Sequence, residues 1–257
     1  MRMATLNVWN TSGDWDRRRE VLAAGFAAMA PDLVTLQETV VTDAYDQALD
    51  ILGDGYELVH QRAREPNGQG VSIASRWPVG EVVELDQRSS DAFAATSLVA
   101  EIRSPDGRVW LVNHFPDYQL DHAAQRERQA VETARAVEDL LTDRPGHVIL
   151  AGDMDADPVA TSLRFWTGRH ALDGFSVCYR DAWESAHPDQ PGHTFVPDNP
   201  YSVNPDWPFR RIDYVLVRCG DSGGPSLEIA SCERIFASPD STASDHYGLL
   251  ADLRPAT

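Results

Sequence analysis

The feature that most constrains the fold is the alternation of short apolar runs with helical patterns along the whole chain. Residues 3–9, 33–38 and 147–153 have the nearly continuous apolar character of buried strands. Residues 16–29 and 121–142 instead carry apolar side chains at helical spacing, three and four residues apart. Strands and helices that alternate in this way predict an α/β protein.

One hairpin excludes a purely parallel sheet. Residues 95–102 and 108–114 read as strands, and the turn-forming sequence SPDG at 104–107 joins them. The sheet is therefore predicted to be mixed rather than doubly wound and parallel. The remaining elements are predicted as a helix at 42–52, strands at 56–60, 70–75, 211–217, 226–236 and 247–253, and a loop at 186–209. Without repeats or linker-like segments, residues 1–257 are expected to form one domain.

The charged residues exclude several chemistries. All 22 basic residues are arginine, so a Schiff-base lysine and a P-loop lysine are ruled out. With 40 acidic residues the net charge is -18, which disfavours a nucleic-acid partner because such a surface repels a polyanion. Three widely spaced cysteines, no long apolar stretch and no leader-like N-terminus predict a cytoplasmic protein without a transmembrane segment.

Polar side chains stand where the predicted strands end. Asn7, Glu38, His114 and Asp153 each close an apolar run, and the later segments add Asp213 and the pair Asp245–His246. Any one of these residues alone is explained as well by a cap or a turn. The repetition of the same feature at six strand ends favours a site built at one edge of the sheets.

These residue types suit one kind of site. Carboxylate and amide oxygens are ligands that Mg²⁺ or Mn²⁺ accepts, while histidine next to aspartate supplies proton transfer. Zinc is a poor fit because the chain has neither an HExxH sequence nor a cluster of histidine and cysteine at ligand spacing. A serine hydrolase is disfavoured because no GxSxG sequence occurs.

The ordered motifs resemble those of the endonuclease/exonuclease/phosphatase superfamily, the group that includes DNase I. The blocks are LNVWN (6–10), LQE (36–38), SRWP (75–78), VNHF (112–115), RERQ (126–129), GDMDADP (152–158), RIDYV (211–215) and SDHYGL (244–249). They fall in the family's order and span nearly the whole chain. The resemblance implies a four-layered α/β sandwich, in which two packed mixed β-sheets are flanked by helices.

The resemblance also implies which residues hold the metal, expected to be Mg²⁺ or Mn²⁺. Glu38 matches the principal metal ligand of the family. Asn7 matches the residue that lies beside the metal and the scissile phosphate, and Asp245 matches a further metal-side carboxylate.

The catalytic residues follow from the same resemblance. His114 matches the histidine that hydrogen-bonds a phosphate oxygen, and Asp153 matches the residue that orients or deprotonates the attacking water. Asp213 and His246 match an Asp–His pair in which the carboxylate fixes the imidazole tautomer. 

Three arginines are predicted to contact the substrate. Arg76 lies in the SRWP block and Arg126 in the RERQ block, and both match positions of the family. Arg210 and Arg211 lie three and two residues before Asp213, and one of them is expected near the substrate, with Arg211 assigned to bind it.

The sequence departs from the family pattern at two positions. Asp155 stands where the family usually has asparagine, and it is assigned to the catalytic set. Because a carboxylate facing a phosphate costs affinity, Asp155 is either a second metal ligand, a sign of a less charged substrate, or a turn cap. Trp9 replaces an acidic ligand of the DNA-repair branch, which argues against that branch.

The predicted function is a metal-dependent phosphoesterase that cleaves a phosphodiester or phosphomonoester by in-line attack of water. The expected substrate is a phosphorylated small molecule or lipid, because the arginines are too few to neutralise several phosphates at once. The expected oligomeric state is a monomer. A DNA or RNA nuclease and a catalytically inactive binding module on the same fold are the alternatives.

Overall fold

The structure is a computed structural model that describes residues 1–89, 93–202 and 206–255. Its strands are β1 (Arg2–Asn7), β2 (Leu33–Thr42), β3 (Tyr45–Asp46), β4 (Glu57–His60), β5 (Gln69–Ser75), β6 (Val79–Asp86), β7 (Thr96–Ser104), β8 (Gly107–Phe115), β9 (His147–Asp153), β10 (Tyr179–Asp181), β11 (Asp213–Arg218), β12 (Leu227–Ile235) and β13 (Gly248–Pro255). Its helices are α1 (Trp15–Met29), α2 (Gln47–Leu52), α3 (Ala123–Asp143), α4 (Thr161–Trp166) and α5 (Ala182–Ala186).

The strands form two mixed sheets, as predicted. The first has the order β12-β13-β1-β2-β5-β4, with β3 paired to β2, and the second has the order β10-β11-β9-β8-β7-β6. Each sheet contains one parallel pair, β1 with β2 and β8 with β9, and its other pairs are antiparallel. The predicted hairpin is formed by β7 and β8.

The two sheets pack face to face with helices outside them. Ile73 of the first sheet and Leu111 of the second are fully buried in the apolar layer between the sheets. Phe26 of α1 packs on the outer face of the first sheet, and Val137 of α3 packs on that of the second. This order of helices, sheet, sheet and helices confirms the four-layered α/β sandwich.

Local sequence explains how α1 begins and ends. The Asp14 carboxylate accepts a hydrogen bond from the backbone N–H of Arg17 and caps the first turn, and Ala30 ends the helix in a left-handed conformation. A Cβ added to Gly25 would lie 2.4 Å from the ring of Phe236, so glycine is required where this helix meets the end of β12. None of the helices in the described part of the chain is long and apolar enough to cross a bilayer.

Several elements differ from the predictions. The helix predicted at 42–52 begins only at Gln47, because β2 extends to Thr42 and residues 45–46 fold back on it. β6, β10, α4 and α5 were not predicted. β6 is a sheet-edge strand with mostly half-buried residues, and the other three elements are six residues long or shorter.

The apolar layer becomes polar towards one edge of the sheets. Gln37 of β2 donates a hydrogen bond to Asn113 of β8 at 2.8 Å across the gap between the sheets. Asn113 in turn donates to the backbone carbonyls of Leu36 and Ser72. These buried bonds join the two sheets directly beneath the strand ends that carry the predicted site.

Candidate active site

Strand direction places the predicted residues at one edge of the sandwich. β1 and β2 are parallel, so Asn7 and Glu38 lie at the same edge of the first sheet. Asp153 at the end of β9 is paired in register with Asp213 at the start of β11. His246 lies two residues before β13, which runs antiparallel to β1 and therefore begins beside the end of that strand.

Asn7 joins the two sheets at this edge. Its side-chain nitrogen donates hydrogen bonds to Glu38 Oε1 and to Asp153 Oδ2, both at 3.0 Å. Its oxygen accepts a bond from the backbone N–H of Trp9 at 2.9 Å, which fixes the orientation of the amide. The amide therefore presents N–H groups to the carboxylates. This does not suit the predicted role of Asn7 as a metal ligand, but it suits a residue that lies beside the phosphate.

Glu38 occupies an unusual backbone position. Its φ is +59°, in the left-handed region, and the pairing of β2 with β5 is irregular between Leu36 and Thr39. Such a conformation is costly for a residue other than glycine and is common at functional sites. It turns the Glu38 carboxylate toward Asn7 and Asn10, which both donate hydrogen bonds to it.

The carboxylates of the site are crowded and desolvated. Burial is the main reason that the pKa of Asp153 is raised to about 6, and the charge of the neighbouring Asp213 contributes to that rise. Burial raises the pKa of Asp245 to about 6 and also raises that of Glu38. A divalent cation would remove this repulsion, and oxygen donors are what Mg²⁺ and Mn²⁺ prefer. The predicted ligands Glu38 and Asp245 interact with one another and offer oxygen donors that fit such an ion, and Asp153, Asp213 and His246 bring one donor atom each within 4.8 Å of one another.

Asp213 and His246 form a buried pair. His246 Nδ1 lies 3.0 Å from Asp213 Oδ2, and its Nε2 lies 3.8 Å from Asp153 Oδ2. Burial opposes the imidazolium, but Asp213, Asp153 and Asp245 together raise the His246 pKa well above its usual value. Thr194 supports the pair, because its hydroxyl accepts the backbone N–H of Asp213. The residues of the predicted Asp–His unit are thus in contact, and Asp213 holds the orientation of the ring.

His114 lies outside the cavity, contrary to the prediction. Its Nδ1 is 2.7 Å from the Ser97 hydroxyl, which contacts Thr133 of α3, and its ring packs edge-on against Trp166 of α4. These partners belong to the outer helix layer. Burial lowers the His114 pKa to about 3, so the ring is neutral. The structure therefore contradicts the prediction that His114 contacts the phosphate, because the ring does not reach the cavity.

Phe115 occupies the position on β8 that faces the site. Successive side chains of a strand point to opposite faces, so Phe115 points to the face that His114 avoids. The parallel pairing of β8 with β9 brings Phe115 level with Asp153. Gly152 allows this close approach, because a Cβ there would lie 2.2 Å from the His114 carbonyl oxygen. Strand alternation in the sequence places Phe115 on the same face as Asn113, and the structure shows that this face is the inner one.

Asp155 is in the site and is accompanied by Arg210. The backbone of Asp155 is left-handed, with φ of +44°, and its N–H donates to Asp153 Oδ1 at 3.2 Å. Burial and the Asp153 charge raise the Asp155 pKa well above its usual value. Arg210 donates to the Asp155 carbonyl at 2.9 Å and lies 3.6 Å from its carboxylate. The turn-cap explanation alone does not account for this buried ion pair.

Arg211, which was predicted to bind substrate, points elsewhere. Its guanidinium pairs with the buried Asp181 at the start of α5 and lies over the ring of Tyr214. Arg210 instead lines the cavity. Consecutive residues leading into β11 point in opposite directions, so the correction is a shift of one residue.

Arg76 and Arg126 are also not brought into the catalytic cavity. Arg76 follows β5, which runs antiparallel to β2, so Arg76 lies at the opposite edge of the sheet and donates to the Pro31 carbonyl. Arg126 donates to the backbone carbonyls of Asp117 and Gln119 and holds the loop before α3. Arg126 does line an adjacent cavity, which is described below.

The site opens into a cavity of about 400 Å³ with acidic and aromatic walls. The acidic wall contains Glu38, Asp153, Asp155 and His246. One aromatic wall is formed by Phe93, Phe115 and Tyr118, with ring centroids 5.1 and 5.2 Å apart in edge-to-face contacts, and the other by Phe195 and Trp207, 5.6 Å apart. Phe195 and Trp207 belong to the segment that was predicted as a loop at 186–209.

Arg18 organises the loops around the site and was not anticipated. Its side chain is fully buried and donates hydrogen bonds to the carbonyl oxygens of Val8, Ser12 and Ala243. It thereby ties the segment that follows Asn7 to the segment that precedes Asp245. In the sequence it looks like one of three consecutive arginines at the start of a helix, with nothing to distinguish it from its exposed neighbours.

Several solved structures share this fold. Truncated TDP2 of Caenorhabditis elegans matches with a TM-score of 0.76 and 20% identity, over 98% of this chain and 97% of that one. An endonuclease/exonuclease/phosphatase of Bacteroides vulgatus matches with a TM-score of 0.76 and 18% identity, over 99% and 98%. The catalytic domain of human Nocturnin, solved with a bound sulfate anion, matches with a TM-score of 0.74 and 14% identity, over 100% and 94%. At these identities the similarity establishes the fold alone.

The sequence itself matches a family model. No curated protein sequence matches this chain. The model of the Endonuclease/Exonuclease/phosphatase family, however, matches residues 4–246, which span Asn7 at one end of the chain and His246 near the other. The chain belongs to the endonuclease/exonuclease/phosphatase family.

Proposed function

We propose that this protein is a phosphoesterase that depends on Mg²⁺ or Mn²⁺ and hydrolyses a compact organic or lipid-like phosphoester. The observation that carries the proposal is the meeting of two groups in one cavity. Glu38 and Asp153, which Asn7 links by hydrogen bonds, contribute oxygen donors, and the Asp213–His246 pair contributes an imidazole that Asp213 holds in place. Both groups are drawn from distant parts of the chain, and both face the same space.

The protein's own residues divide the chemistry between them. Asp153 is the acceptor for a proton of the attacking water, because a carboxylate with a pKa of about 6 can take a proton near neutral pH. His246, held by Asp213, is the cationic donor that faces the phosphoryl oxygens as charge develops on them. A metal ion bound by Glu38 and Asp245 would supply Lewis acidity toward the phosphate.

The shape and charge of the site favour a compact substrate. The net charge of -18 opposes a grip on a long polyanion. The two aromatic walls provide apolar surface on both sides of the acidic residues. Such a cavity suits the organic part of a small ester or the upper part of a lipid better than a nucleic-acid backbone.

A panel of substrates tests the proposal. Bis-p-nitrophenyl phosphate, nucleotides, sphingomyelin and plasmid DNA are each incubated with the protein in Mg²⁺, Mn²⁺ or excess EDTA. We expect metal-dependent turnover of a small or lipid-like ester, loss of that turnover in Glu38→Gln, and full turnover in Glu228→Gln, which changes an exposed glutamate on β12. Preferential cleavage of DNA would instead support the nuclease alternative, and no turnover of any ester would support the binding module.

A further inference from the structure

We propose, on the basis of the function proposed above, that the site selects phosphodiesters over phosphomonoesters. Arg210 would bind the single negative charge of the diester at the junction of two cavities. Each cavity would accept one of the two organic arms of the substrate. The inference narrows the substrate class and names the residues that define it.

Arg210 is a buried cation with one nitrogen that makes no hydrogen bond. The residue is 5% exposed, and its Nη2 donates to the Asp155 carbonyl at 2.9 Å. Its buried Nη1 makes no hydrogen bond to any residue that the structure describes, although it lies 3.6 Å from Asp155 Oδ1, and its Nε lies 3.6 Å from Asp157 Oδ2. The backbone is fixed, because Arg210 and Phe195 exchange two backbone hydrogen bonds of 2.9 and 3.0 Å. A buried N–H group that has an ionic neighbour but no hydrogen-bond acceptor favours an incoming anion that supplies one.

A second cavity begins on the far side of Arg210. It has a volume of about 460 Å³ and shares Arg210, Asp155 and Trp207 with the catalytic cavity. Its other walls include Leu120 and Val159, which are 62% and 82% exposed. Large apolar side chains that stay exposed beside an active site indicate a surface for an apolar part of the ligand. A monoester has no second arm to occupy this cavity.

The charges around the phosphate favour a monoanion. Asp153 and Asp155 face the catalytic cavity, whereas its cationic side chains among the described residues are Arg210 and His246. A phosphodiester carries one negative charge, while a monoester carries nearly two near neutral pH. The second charge of a monoester would meet Asp155 at the position where the resembling family usually has a neutral asparagine.

The aromatic wall that contains Phe115 also favours a phosphodiester over a phosphomonoester. Phe115, level with Asp153, offers no hydrogen-bond donor to a further phosphoryl oxygen. Phe93 and Tyr118 extend this surface, and their contacts with one another and with Phe115 leave an apolar face toward the cavity. The neutral, esterified oxygen of a diester and its organic arm can lie against such a face at lower cost than a charged oxygen.

The proposed reaction is the hydrolysis of one ester bond of a phosphodiester by one water molecule. The oxygen of water forms a bond to phosphorus while the bond from phosphorus to one alcohol oxygen breaks. One proton of the water passes to the protein and then to solvent or to the released alcohol. The products are a phosphomonoester and an alcohol, and the monoester is predicted to be a poor substrate for a second round.

The experiment compares bis-p-nitrophenyl phosphate with p-nitrophenyl phosphate on the Mn²⁺-loaded protein and three variants. We expect Arg210→Met to lower kcat/KM for the diester by about 10- to 100-fold, mainly through KM, as for loss of one charge-assisted hydrogen bond. Asp155→Asn should raise the monoester rate relative to the diester rate. Val159→Trp, at an exposed position that tolerates the change, should obstruct the second cavity and impair the diester more than the monoester.

Controls separate this inference from the proposed function. Arg128→Met removes an exposed arginine of α3 and should leave both rates unchanged. Arg210→Lys keeps the charge and should recover part of the diester KM if Arg210→Met acts through lost charge. Metal-dependent turnover with the monoester equal or preferred would overturn the diester inference alone, as would variants that slow both esters equally. Absence of metal-dependent turnover of either ester would overturn the proposed function and this inference with it.

Discussion

Replacing His114 by asparagine should alter acid stability and leave catalysis intact. His114 is 1% exposed, and asparagine can keep the bond from the Nδ1 position to Ser97. Burial holds the pKa of His114 at about 3, whereas an unfolded histidine titrates near its usual value of about 6.5. Between these values the unfolded chain binds more protons than the folded protein. The wild type therefore loses stability as pH falls below about 6.5, down to about 3.

The size of this effect follows from the two pKa values. At pH 8 the ring is neutral in both states and contributes no dependence on pH. At pH 5 it should destabilise the wild type by about 2 kcal/mol, a penalty that His114→Asn lacks. The stability difference between wild type and variant should thus shift by about 2 kcal/mol in favour of the variant from pH 8 to pH 5.

Urea unfolding at both pH values, in EDTA, measures this shift, and ester hydrolysis at pH 8 measures catalysis. We expect the activity of folded His114→Asn to stay within about threefold of wild type, because the ring faces the helix layer. A loss of about a hundredfold or more would show that His114 serves the reaction after all. A stability difference that is the same at pH 8 and pH 5 would refute the buried, neutral state of the ring.

Three further predictions concern the site and its supports. Because Asp213 and His246 act as one unit, the rate of the double alanine variant should be scarcely lower than that of either single variant, and additive losses in log rate would contradict the coupling. Arg211→Gln should lower the free energy of unfolding by about 3–5 kcal/mol, measured by urea titration, because it leaves Asp181 buried without its partner. Plasmid nicking should be slow and depend weakly on salt; a steep fall, by about 0.9 log units per log unit of salt for each phosphate bound, would indicate a nuclease.

The sequence was sufficient to locate the edge at which the site is built. Asn7, Glu38 and Asp153 were recognisable because each follows an apolar strand, and the structure brings them together through hydrogen bonds. The pairing of Asp213 with His246 was also anticipated, although 33 residues separate them in the chain. Strand ends are visible in a sequence because hydrophobic periodicity stops there.

The sequence did not show which side chains face the catalytic cavity. His114 and Arg211 each lie one residue away from the side chain that faces the catalytic cavity, Phe115 and Arg210 respectively. A shift of one residue along an extended segment moves a side chain to the opposite face. A polar residue was therefore assigned to the site in each case, although the side chain next to it is the one that faces the cavity. The inward-facing Asn113 sets the alternation, but its direction is known only from its bond to Gln37.

The sequence also did not show the order and direction of the strands in each sheet. Arg76 stands at the end of a strand, as Asn7 does. Because β5 runs antiparallel to β2, however, β5 ends at the edge of the sheet opposite the site. The ion pair between Asp155 and Arg210 likewise joins residues 55 positions apart, through a loop whose course no local pattern encodes. Such contacts depend on tertiary packing rather than on local periodicity.

The central claim is that a divalent cation bound by the site carboxylates enables ester hydrolysis. The most direct measurement is a titration of chelator-treated protein with Mn²⁺, in which metal binding and bis-p-nitrophenyl phosphate hydrolysis are recorded on the same sample, with Glu38→Gln in parallel. We predict that activity rises in step with occupancy of the wild-type site, and that Glu38→Gln remains folded but loses both tight binding and activity. Hydrolysis that persists in excess EDTA, or that Glu38→Gln retains at wild-type metal concentrations, would contradict the account.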